Sequence, residues 1–428
     1  MKSLTIRNSS ILICVNVIVI LLAAWHNYSH FSQVMLSIIL IMNSIIMLCY
    51  STKRMSTFLF SLFIFISNYS IAVGIYLYQN IRPDILYYQI TNDAAYGISL
   101  VSMLIFSCFM TTTILHNYYK DNKMGSINSV VYTKPNRTIE TVCFITYAII
   151  FFTQTKFTVG ERMDFNALSE YRFLFAIIGG MYSTKSKTSM YCWGFLIGVT
   201  TLISLIGGNR VDAFPGIFIF LIVWCKALSV KKTLIFSLIA IPIIKVMGSL
   251  RGNIVQILDG TISFFDVING LFKDKFVQDT FTYAYFPSVA SVELSMRLPS
   301  FIKTDVFWEN IKYIIYGGEF AKYTLSGYTY NYYAHSYGYL APVNLYFWFG
   351  HVGTIILGVI FSFLLNVFLK IERQCNYQSM KYAFFLVFIC LLPRWYSYNL
   401  FQLPRAFIFI IILYAITKCY LKIKNASR

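Results

Sequence analysis

The chain of 428 residues has few charged residues. Asp, Glu, Lys and Arg together make up 12% of it, whereas about a quarter of the residues of an ordinary soluble domain are charged. Hydrophobic residues make up 57%, and they fall in runs of roughly 17–25 residues, the length that a helix needs to cross hydrocarbon. The composition excludes an ordinary soluble domain and indicates a membrane protein.

Segments of alternating hydrophobicity are also missing, and such segments are the signature of a membrane β-barrel. Because lipid offers no hydrogen bonds to the backbone, only helices or a closed barrel can span it. We therefore predict an all-α, polytopic integral membrane protein with about twelve transmembrane helices.

Three further absences narrow the chemistry. None of the nine Cys residues lies in 251–338, so this long polar stretch has no disulfide. No Cys or His residues have the spacing of a metal site. The chain also has no Asp-x-Asp and no His-x-Glu pair, which argues against a metal-bound nucleotide sugar as donor. We expect no metal and no cofactor.

The apolar runs predict an order for the chain. They fall at residues 8–25, 33–50, 57–79, 95–115, 139–155, 170–183, 190–206, 212–226, 233–249, 339–369, 381–393 and 405–421. We divide the chain into an N-terminal membrane bundle of about nine spans at 1–249, a long polar loop at 250–338 and C-terminal spans at 339–428. The sixth run is short, and the tenth is long enough to include a turn at the membrane surface.

The formal net charge of +18 suggests nucleic acid, but the distribution of the charge argues against it. With the N-terminus inside, alternate loops and both tails hold 20 of the 35 basic residues and three acidic ones; the opposite side holds the other 15 basic residues and 14 acidic ones. The positive-inside rule explains this asymmetry. We predict that both termini are cytoplasmic, that the loop lies outside and that nucleic acid is not a partner.

Two parts of the loop have apolar residues at helical spacing. One covers 254–272, and the other follows Thr304-Asp305, which we interpret as a helix cap. Such amphipathic helices would lie on the membrane surface or cover a cavity.

Four arginines lie at or near the predicted outer ends of spans: Arg210, Arg251, Arg394 and Arg405. Arginine costs roughly 2.5–3.5 kcal/mol at the bilayer centre and little at its edges, so each could be an ordinary interfacial residue. A guanidinium also binds phosphate through two parallel hydrogen bonds. If the four meet at the outer face, they form an anion site.

The end of the loop is rich in tyrosine, which offers a flat face to a sugar ring and a hydroxyl for hydrogen bonding. We select Tyr328, Tyr332 and Tyr333 as sugar-binding candidates; the alternative is the aromatic belt of a membrane interface. His335 is the only histidine in the loop, and its ordinary pKa of about 6.5 suits a general base. A structural histidine is the alternative.

A carboxylate is another candidate for the base. The carboxylates on the predicted outer side that we consider are Glu161, Asp164, Glu170, Asp212, Glu293 and Glu319. The sequence does not rank them.

The chain resembles the O-antigen polymerases (Wzy-type) of bacteria. The resemblance rests on twelve apolar runs, a long outer loop late in the chain, Gly207-Gly208-Asn209-Arg210 opening a span, and a loop that runs into a Gly-x-x-Gly helix at Gly350-His351-Val352-Gly353. The related O-antigen ligases have His-[Asn/Ser/Gln] followed by nine residues and Gly-x-x-Gly. Here thirteen residues follow His335-Ser336, about one helical turn more.

The resemblance implies a metal-independent glycosyltransferase with a GT-C-like fold in the bacterial inner membrane. It implies a lipid-linked substrate, an undecaprenyl-diphosphate-linked oligosaccharide, and a chain-length regulator as a further partner. His335, Arg210 and Arg251 would be catalytic, and Arg394, Arg405 and the three tyrosines would bind substrate. The alternatives are an O-antigen ligase and a lipid-linked oligosaccharide flippase, which would be expected to lack the long loop and to show related halves. A mannosyltransferase-type enzyme is less consistent, because the first outer loop, at 26–33, has no acidic residue.

Overall fold

The structure is a computed structural model. It describes residues 2–51, 54–73, 90–124, 135–156, 164–165, 170–206, 210–225, 231–232, 234–235, 238–239, 256–257, 259–273, 280–317, 322–333, 338–373 and 377–426.

Helices make up most of the described chain. They are α1 (Lys2–Trp25), α2 (His30–Tyr50), α3 (Met55–Ile71), α4 (Asp93–Met124), α5 (Arg137–Gln154), α6 (Phe173–Tyr182), α7 (Lys187–Ile206), α8 (Arg210–Val223), α9 (Phe264–Lys273), α10 (Thr280–Arg297), α11 (Ser300–Tyr316), α12 (Leu325–Tyr330), α13 (Ala341–Asn344), α14 (Tyr346–Arg373), α15 (Met380–Cys390), α16 (Leu392–Ser397) and α17 (Gln402–Ala426). Two short strands, β1 (Thr155–Lys156) and β2 (Asp164–Phe165), pair antiparallel, with Thr155 opposite Phe165.

Five helices are long and apolar enough to cross a membrane: His30–Tyr50, Asp93–Lys120, Lys187–Leu205, Tyr346–Glu372 and Gln402–Ala426. Shorter apolar helices occur at Ser9–Trp25, Met55–Ile71, Phe173–Tyr182, Ala213–Val223 and Met380–Cys390. The chain is therefore a helical, membrane-embedded, multi-pass protein, as the composition predicts. The total of twelve spans and the GT-C-like fold stay predictions. The predicted ninth span, 233–249, lies largely outside the described residues.

The contacts divide the chain into two compact units. Unit 1 comprises Met1–Asn128, Phe276–Arg373 and Arg394–Arg405, and unit 2 comprises Ser129–Lys275, Gln374–Pro393 and Ala406–Arg428. The division into 1–249, 250–338 and 339–428 follows predicted topology, whereas these units follow packing. The polar stretch 251–338 contributes helices to both.

Small polar side chains hold the helices of unit 1 together. Asn16 of α1 and Asn43 of α2 are hydrogen-bonded to each other, with Nδ2–Oδ1 distances of 3.3 and 2.7 Å. Thr111 of α4 donates to the Asn43 carbonyl at 3.2 Å, and Thr113 contacts Ser362 of α14. Such residues allow close approach and hydrogen bonding between helices in a medium that supplies neither water nor a hydrophobic driving force.

These contacts also fix the direction of the helices. Ser102 and Thr113 of α4 meet Thr354 and Ser362 of α14, in the same order, so the two helices run parallel. The Gln33 side chain at the start of α2 donates to the carbonyls of Tyr28 and Asp93 at 2.9 and 3.2 Å. We call the end of unit 1 at which α4 begins the Asp93 end, and the opposite end, at which α2 ends, the Tyr50 end.

Three basic residues that the positive-inside rule places in the cytoplasm lie at the Tyr50 end of unit 1. Arg54 pairs with Glu372 at 3.3 Å, Lys120 follows Tyr119, whose ring contacts Tyr50, and Lys370 precedes Glu372 by two residues. This clustering is the arrangement that a shared cytoplasmic side requires.

Unit 2 has an aromatic core. The indole rings of Trp193 (α7) and Trp224 stack with centroids 5.2 Å apart, and the Trp224 indole donates to Ser183 Oγ at 3.3 Å. Glu140 of α5 accepts from Ser183 Oγ at 2.7 Å and from the Thr184 amide at 3.1 Å. These bonds lie at the end of unit 2 where α6 ends, which also carries Lys185 over the Tyr377 ring.

The predicted tenth span, 339–369, is not one continuous helix. Residues 338–340 are not helical, α13 is four residues long, and α14 begins at Tyr346. Gly350 interrupts α14 with φ 59° and ψ −149°, a conformation open essentially to glycine alone. The predicted eleventh span, 381–393, is likewise divided between α15 and the short α16.

The polar stretch differs most from its prediction. The helix predicted over 254–272 is interrupted by a turn at 259–262, where Gly260 has φ 71°, and α9 begins at Phe264. The predicted cap at Thr304-Asp305 is wrong, because α11 begins at Ser300 after Pro299 and both residues lie inside it. The sequence did not predict α10 at all.

The helix α10 belongs to the core of unit 1. Every residue from Ala284 to Ser295 is buried, and the Tyr285 hydroxyl donates to the Tyr96 carbonyl at the start of α4 at 3.1 Å. The polar stretch therefore also contains a core helix of unit 1, which the two predicted amphipathic helices do not include. Its helical spacing is obscured because apolar, aromatic and small residues surround the whole helix.

Candidate functional site

Glu293, near the end of α10, is a buried carboxylate of unit 1 that accepts several hydrogen bonds. It is 1% exposed and accepts hydrogen bonds from the Thr91 amide at 3.1 Å, the Thr91 hydroxyl at 3.0 Å and the Asn92 amide at 3.5 Å. Arg297, one turn further on, contacts the same carboxylate, but 56% of its side chain is exposed. Glu293 therefore attaches α10 to the segment that leads into α4.

Tyr333 also belongs to this cluster. It is 7% exposed, and the pKa of its phenol is raised, first by burial and second by the nearby carboxylate of Glu293. Tyr333 stands two residues before His335. The N-terminal flank of the histidine segment is thus held next to Glu293, although His335 itself lies outside the described residues.

The C-terminal flank of the same segment lies beside Ala284, near the start of α10. A Cβ on Gly338 would lie 3.1 Å from the Ser397 carbonyl and 3.7 Å from Ala284 Cβ. The Tyr339 amide donates to the Tyr398 carbonyl at 3.1 Å. The flanks of 334–337 therefore contact the Glu293 end of α10 and the residues that follow Arg394.

Arg394 lies in α16, inside the helix bundle of unit 1. Its neighbour Trp395 contacts Phe361, halfway along α14, with ring centroids 4.7 Å apart. Arg394 is 7% exposed, and its carbonyl accepts from the amides of Tyr398 and Asn399, both at 3.0 Å. An ionised side chain this deep in an apolar bundle is expensive and in membrane proteins usually has a function.

Arg405 occupies a different place, at the start of α17. Its guanidinium lies over the Tyr313 ring, 5.4 Å from the centroid. It also packs against Gly317, where a Cβ would stand 2.7 Å from Nη2. Both predicted binding arginines of the 394–405 segment therefore belong to unit 1, Arg394 inside the bundle and Arg405 against the end of α11.

The other two candidate arginines are Arg210 and Arg251, and the structure describes less of their surroundings. Arg210 opens α8 in unit 2, and nothing is described for its side chain. Arg251 lies outside the described residues. Their meeting with Arg394 and Arg405 stays a prediction.

Sequence analysis overlooked Arg172. It is 4% exposed, and its guanidinium lies 4.9 Å from the Phe151 ring centroid and 6.0 Å from that of Tyr147 in unit 2. It stands at the predicted outer end of the sixth run, 170–183, so it meets the criterion that selected the other four arginines.

The selected tyrosines differ in their exposure to solvent. Tyr332 is 55% exposed, whereas Tyr328 is 9% exposed. Their hydroxyls are 3.1 Å apart, and the Tyr323 ring contacts Tyr328 with centroids 5.0 Å apart. Tyr323 in turn donates to Asp305, and its pKa is raised to about 12 by burial and by this bond. Of the selected tyrosines, Tyr332 is the exposed one, and the buried Tyr328 packs against it.

A second buried carboxylate has a structural role. Glu309 of α11 contacts Lys312 and accepts from the Lys322 amide at 2.7 Å. The next residue, Asn310, accepts from the Leu325 amide at 3.2 Å. Together they attach the start of α12 to α11, which positions the tyrosines.

We expect Glu309→Gln to lower the thermal unfolding midpoint at pH 7 and to have a smaller effect in acid. The Lys312 ammonium and the Lys322 amide lower the pKa of Glu309. A lowered pKa means that this stabilisation is present above the unfolded-state value of about 4.3 and is lost as the pH falls through the folded-state value. The measurement is the midpoint of both proteins across that window; a difference that does not depend on pH would contradict the assignment.

The described residues contain no group of three or more His, Cys, Asp or Glu side chains that could hold a metal ion. A cavity of about 10 Å³ lies at the Tyr50 end, lined in part by Arg54, Asn117 and Tyr118. It has room for roughly one water molecule. The Glu293 cluster at the Asp93 end is the stronger candidate site.

Comparisons with protein-family models, with curated proteins and with solved structures find no match to this chain.

Proposed function

We propose that this protein is a glycosyltransferase that polymerises lipid-linked oligosaccharide repeat units, as in O-antigen or a similar surface polysaccharide, at the outer face of a bacterial inner membrane. The observation that carries the proposal is Arg394, a buried arginine deep in an apolar helix bundle, next to residues that contact one flank of the His335 segment. A buried cation in a bundle suits an anionic substrate.

The reaction needs a leaving group, an acceptor and a base. The bond between the anomeric carbon of the growing glycan and its diphosphate oxygen breaks, and the diphosphate leaves on undecaprenol. An acceptor hydroxyl of the incoming repeat unit forms the new glycosidic bond and gives up its proton. Arg210 and Arg251 would stabilise the charge that develops on the departing diphosphate, and Arg394 and Arg405 would bind the lipid-linked substrate.

Glu293 and His335 are the two candidates for the base. Glu293 already accepts three hydrogen bonds from Thr91 and Asn92, which suits a positioning role. His335, between two anchored flanks, is the better candidate for taking the proton, and Tyr332 would stack on a sugar.

The test of the proposed function is a gel of lipopolysaccharide from a strain that lacks the gene. A ladder that collapses to core plus one repeat unit supports a polymerase. Loss of all O-antigen with long lipid-linked polymer still present supports a ligase. Loss with only single lipid-linked units on the inner face supports a flippase, and an unchanged ladder removes O-antigen from the proposal.

We expect Arg210→Ala and Arg251→Ala each to reduce polymer by at least about a hundredfold, since a lost transition-state contact of this kind is worth about 3 kcal/mol. The amount of protein in the membrane should not change. Arg137→Ala, on the predicted cytoplasmic side, is the matched control and should leave the ladder normal. Normal chain lengths in both outer variants would remove the diphosphate role from these residues.

A further inference from the structure

The helix α11 exposes three large apolar side chains on one face. Phe301 is 73% exposed, Trp308 is 58% exposed and Ile315 is 60% exposed. Their spacing of seven residues places them within about 40° of one another around the helix axis. We call these three residues the α11 stripe.

The opposite face of α11 attaches the helix to unit 1. Val306, Glu309 and Asn310 are buried, and Glu309 and Asn310 bind the 322–325 segment. The stripe is therefore not part of the core of unit 1.

The position of α11 is set by two other helices. The Phe307 ring lies 5.8 Å from Trp348 and 6.1 Å from Phe349, in the first turn of α14. Tyr313, further along α11, lies under Arg405 in the first turn of α17. Both α14 and α17 are long and apolar enough to span a membrane, so α11 lies at the level at which two spanning helices begin.

The stripe also borders an apolar surface on α14. Phe349 is 50% exposed, Val352 is 62% exposed and Ile356 is 45% exposed. Phe349 is also the residue that contacts Phe307, beside Trp308. An outward apolar face on a spanning helix faces lipid, and this contact continues that face onto α11.

The stripe has the chemistry of the membrane interface. Tryptophan is enriched at the boundary between headgroups and acyl chains. Lys312 and Asp305 are exposed beside the stripe. They flank it on the side away from Phe307 and α14, where charged side chains can reach water. An interfacial helix has this arrangement of apolar and charged residues.

We propose that α11 is an interfacial helix, whose stripe inserts into the boundary between headgroups and acyl chains, so that the lipid bilayer is its partner. This proposal follows from the membrane-embedded fold and does not depend on the proposed enzymatic function. It also fixes the end of α11, and with it Arg405, at the depth of the lipid headgroups.

The test uses the fluorescence of Trp308 in the full-length protein reconstituted into phosphatidylcholine vesicles. The Trp308 signal is the difference between wild type and Trp308→Phe. We expect lipids brominated near the headgroup to reduce this signal about twofold, lipids brominated at the chain ends to reduce it less, and aqueous iodide to have little effect, because an interfacial helix lies only roughly 5–10 Å into the boundary.

Two controls make the result specific. Trp395 is fully buried, so the difference signal from Trp395→Phe should resist both quenchers. In the Trp308→Phe background, Phe301→Trp should restore quenching by brominated lipid, and Asp305→Trp should be quenched less by lipid and more by iodide. If Trp308→Phe perturbs the fold, Phe301→Trp in the otherwise wild-type chain tests the stripe, because the fluorescence that it adds should be quenched by brominated lipid and not by iodide.

Quenching of Trp308 by iodide and not by brominated lipid would overturn the proposal, because the stripe would then face water. Resistance to both quenchers would also overturn it. The stripe would then be covered by protein, as in contact with a second copy of the chain.

Discussion

Replacing Gly317 with alanine is expected to lower the free energy of unfolding by about 3 kcal/mol. Gly317 ends α11 with φ 96° and ψ 179°, a region that residues with a Cβ rarely occupy. The new Cβ would also stand 2.7 Å from Arg405 Nη2. The measurement is the thermal unfolding midpoint in detergent, which we expect to fall by about 5 °C or more.

Gly327→Ala is the matched control for this variant. Gly327 lies inside α12 of the same unit, and its nearest neighbours would be 3.7 and 3.8 Å from a Cβ. Alanine is favoured over glycine in a helix by about 1 kcal/mol, so the midpoint should stay the same or rise. Equal effects at the two positions would mean that neither the backbone conformation nor Arg405 explains the need for glycine at 317.

A double variant separates the two causes. If the steric contact with the guanidinium dominates, Gly317→Ala combined with Arg405→Ala should be less destabilised than the sum of the single variants. If the backbone conformation dominates, the effects should add. The difference from additivity measures the interaction free energy between positions 317 and 405.

Glu293→Ala is expected to have the second large effect, on stability and on polymer formation together. The substitution removes the acceptor that the amides of Thr91 and Asn92 now share, and a hydrogen bond to a charged group contributes about 1.5–3 kcal/mol. It also removes the carboxylate next to Tyr333, which frees one flank of the His335 segment. We expect polymer to fall by at least about tenfold, because small displacements of catalytic groups have effects of this size or larger.

The control for Glu293→Ala is a substitution of Arg297, which forms an ion pair with Glu293. Arg297→Ala removes a side chain that is 56% exposed, and pairs with an exposed member contribute about 0–1 kcal/mol. The three hydrogen bonds from Thr91 and Asn92 would stay. Unfolding midpoints and lipopolysaccharide ladders of both variants decide the matter; an Arg297→Ala variant as impaired as Glu293→Ala would show that the ion pair, and not the backbone contacts, positions the segment.

Sequence analysis was most successful where the signal is local. Helix α2 agrees with the predicted run 33–50 within a few residues at its start and at Tyr50, because a run of apolar residues between polar ends specifies a buried or lipid-facing helix by itself. The division of α14 at Gly350 was harder to predict. A glycine in an apolar run is compatible with a continuous helix, and the surrounding packing decides which conformation it adopts.

The candidate site shows the same limit. Tyr332 and Arg394 were selected by residue type, and the structure exposes the first and buries the second. Glu293 was one of six carboxylates that the sequence did not rank, and it was distinguished only when Thr91, some two hundred residues earlier, was found beside it. A contact over that sequence distance leaves no periodic signal in either segment.

The sequence by itself determined that this protein is a helical membrane protein, because composition and run length act locally along the chain. Only the tertiary structure decided that α10 lies in the core of unit 1, that Glu293 anchors the residues before His335, and that Arg394 lies inside the bundle. The physical reason is that burial depends on which segments pack together. In α10 this contact joins Tyr285 to Tyr96 at the start of α4, and segments so far apart along the chain leave no local signal of their packing.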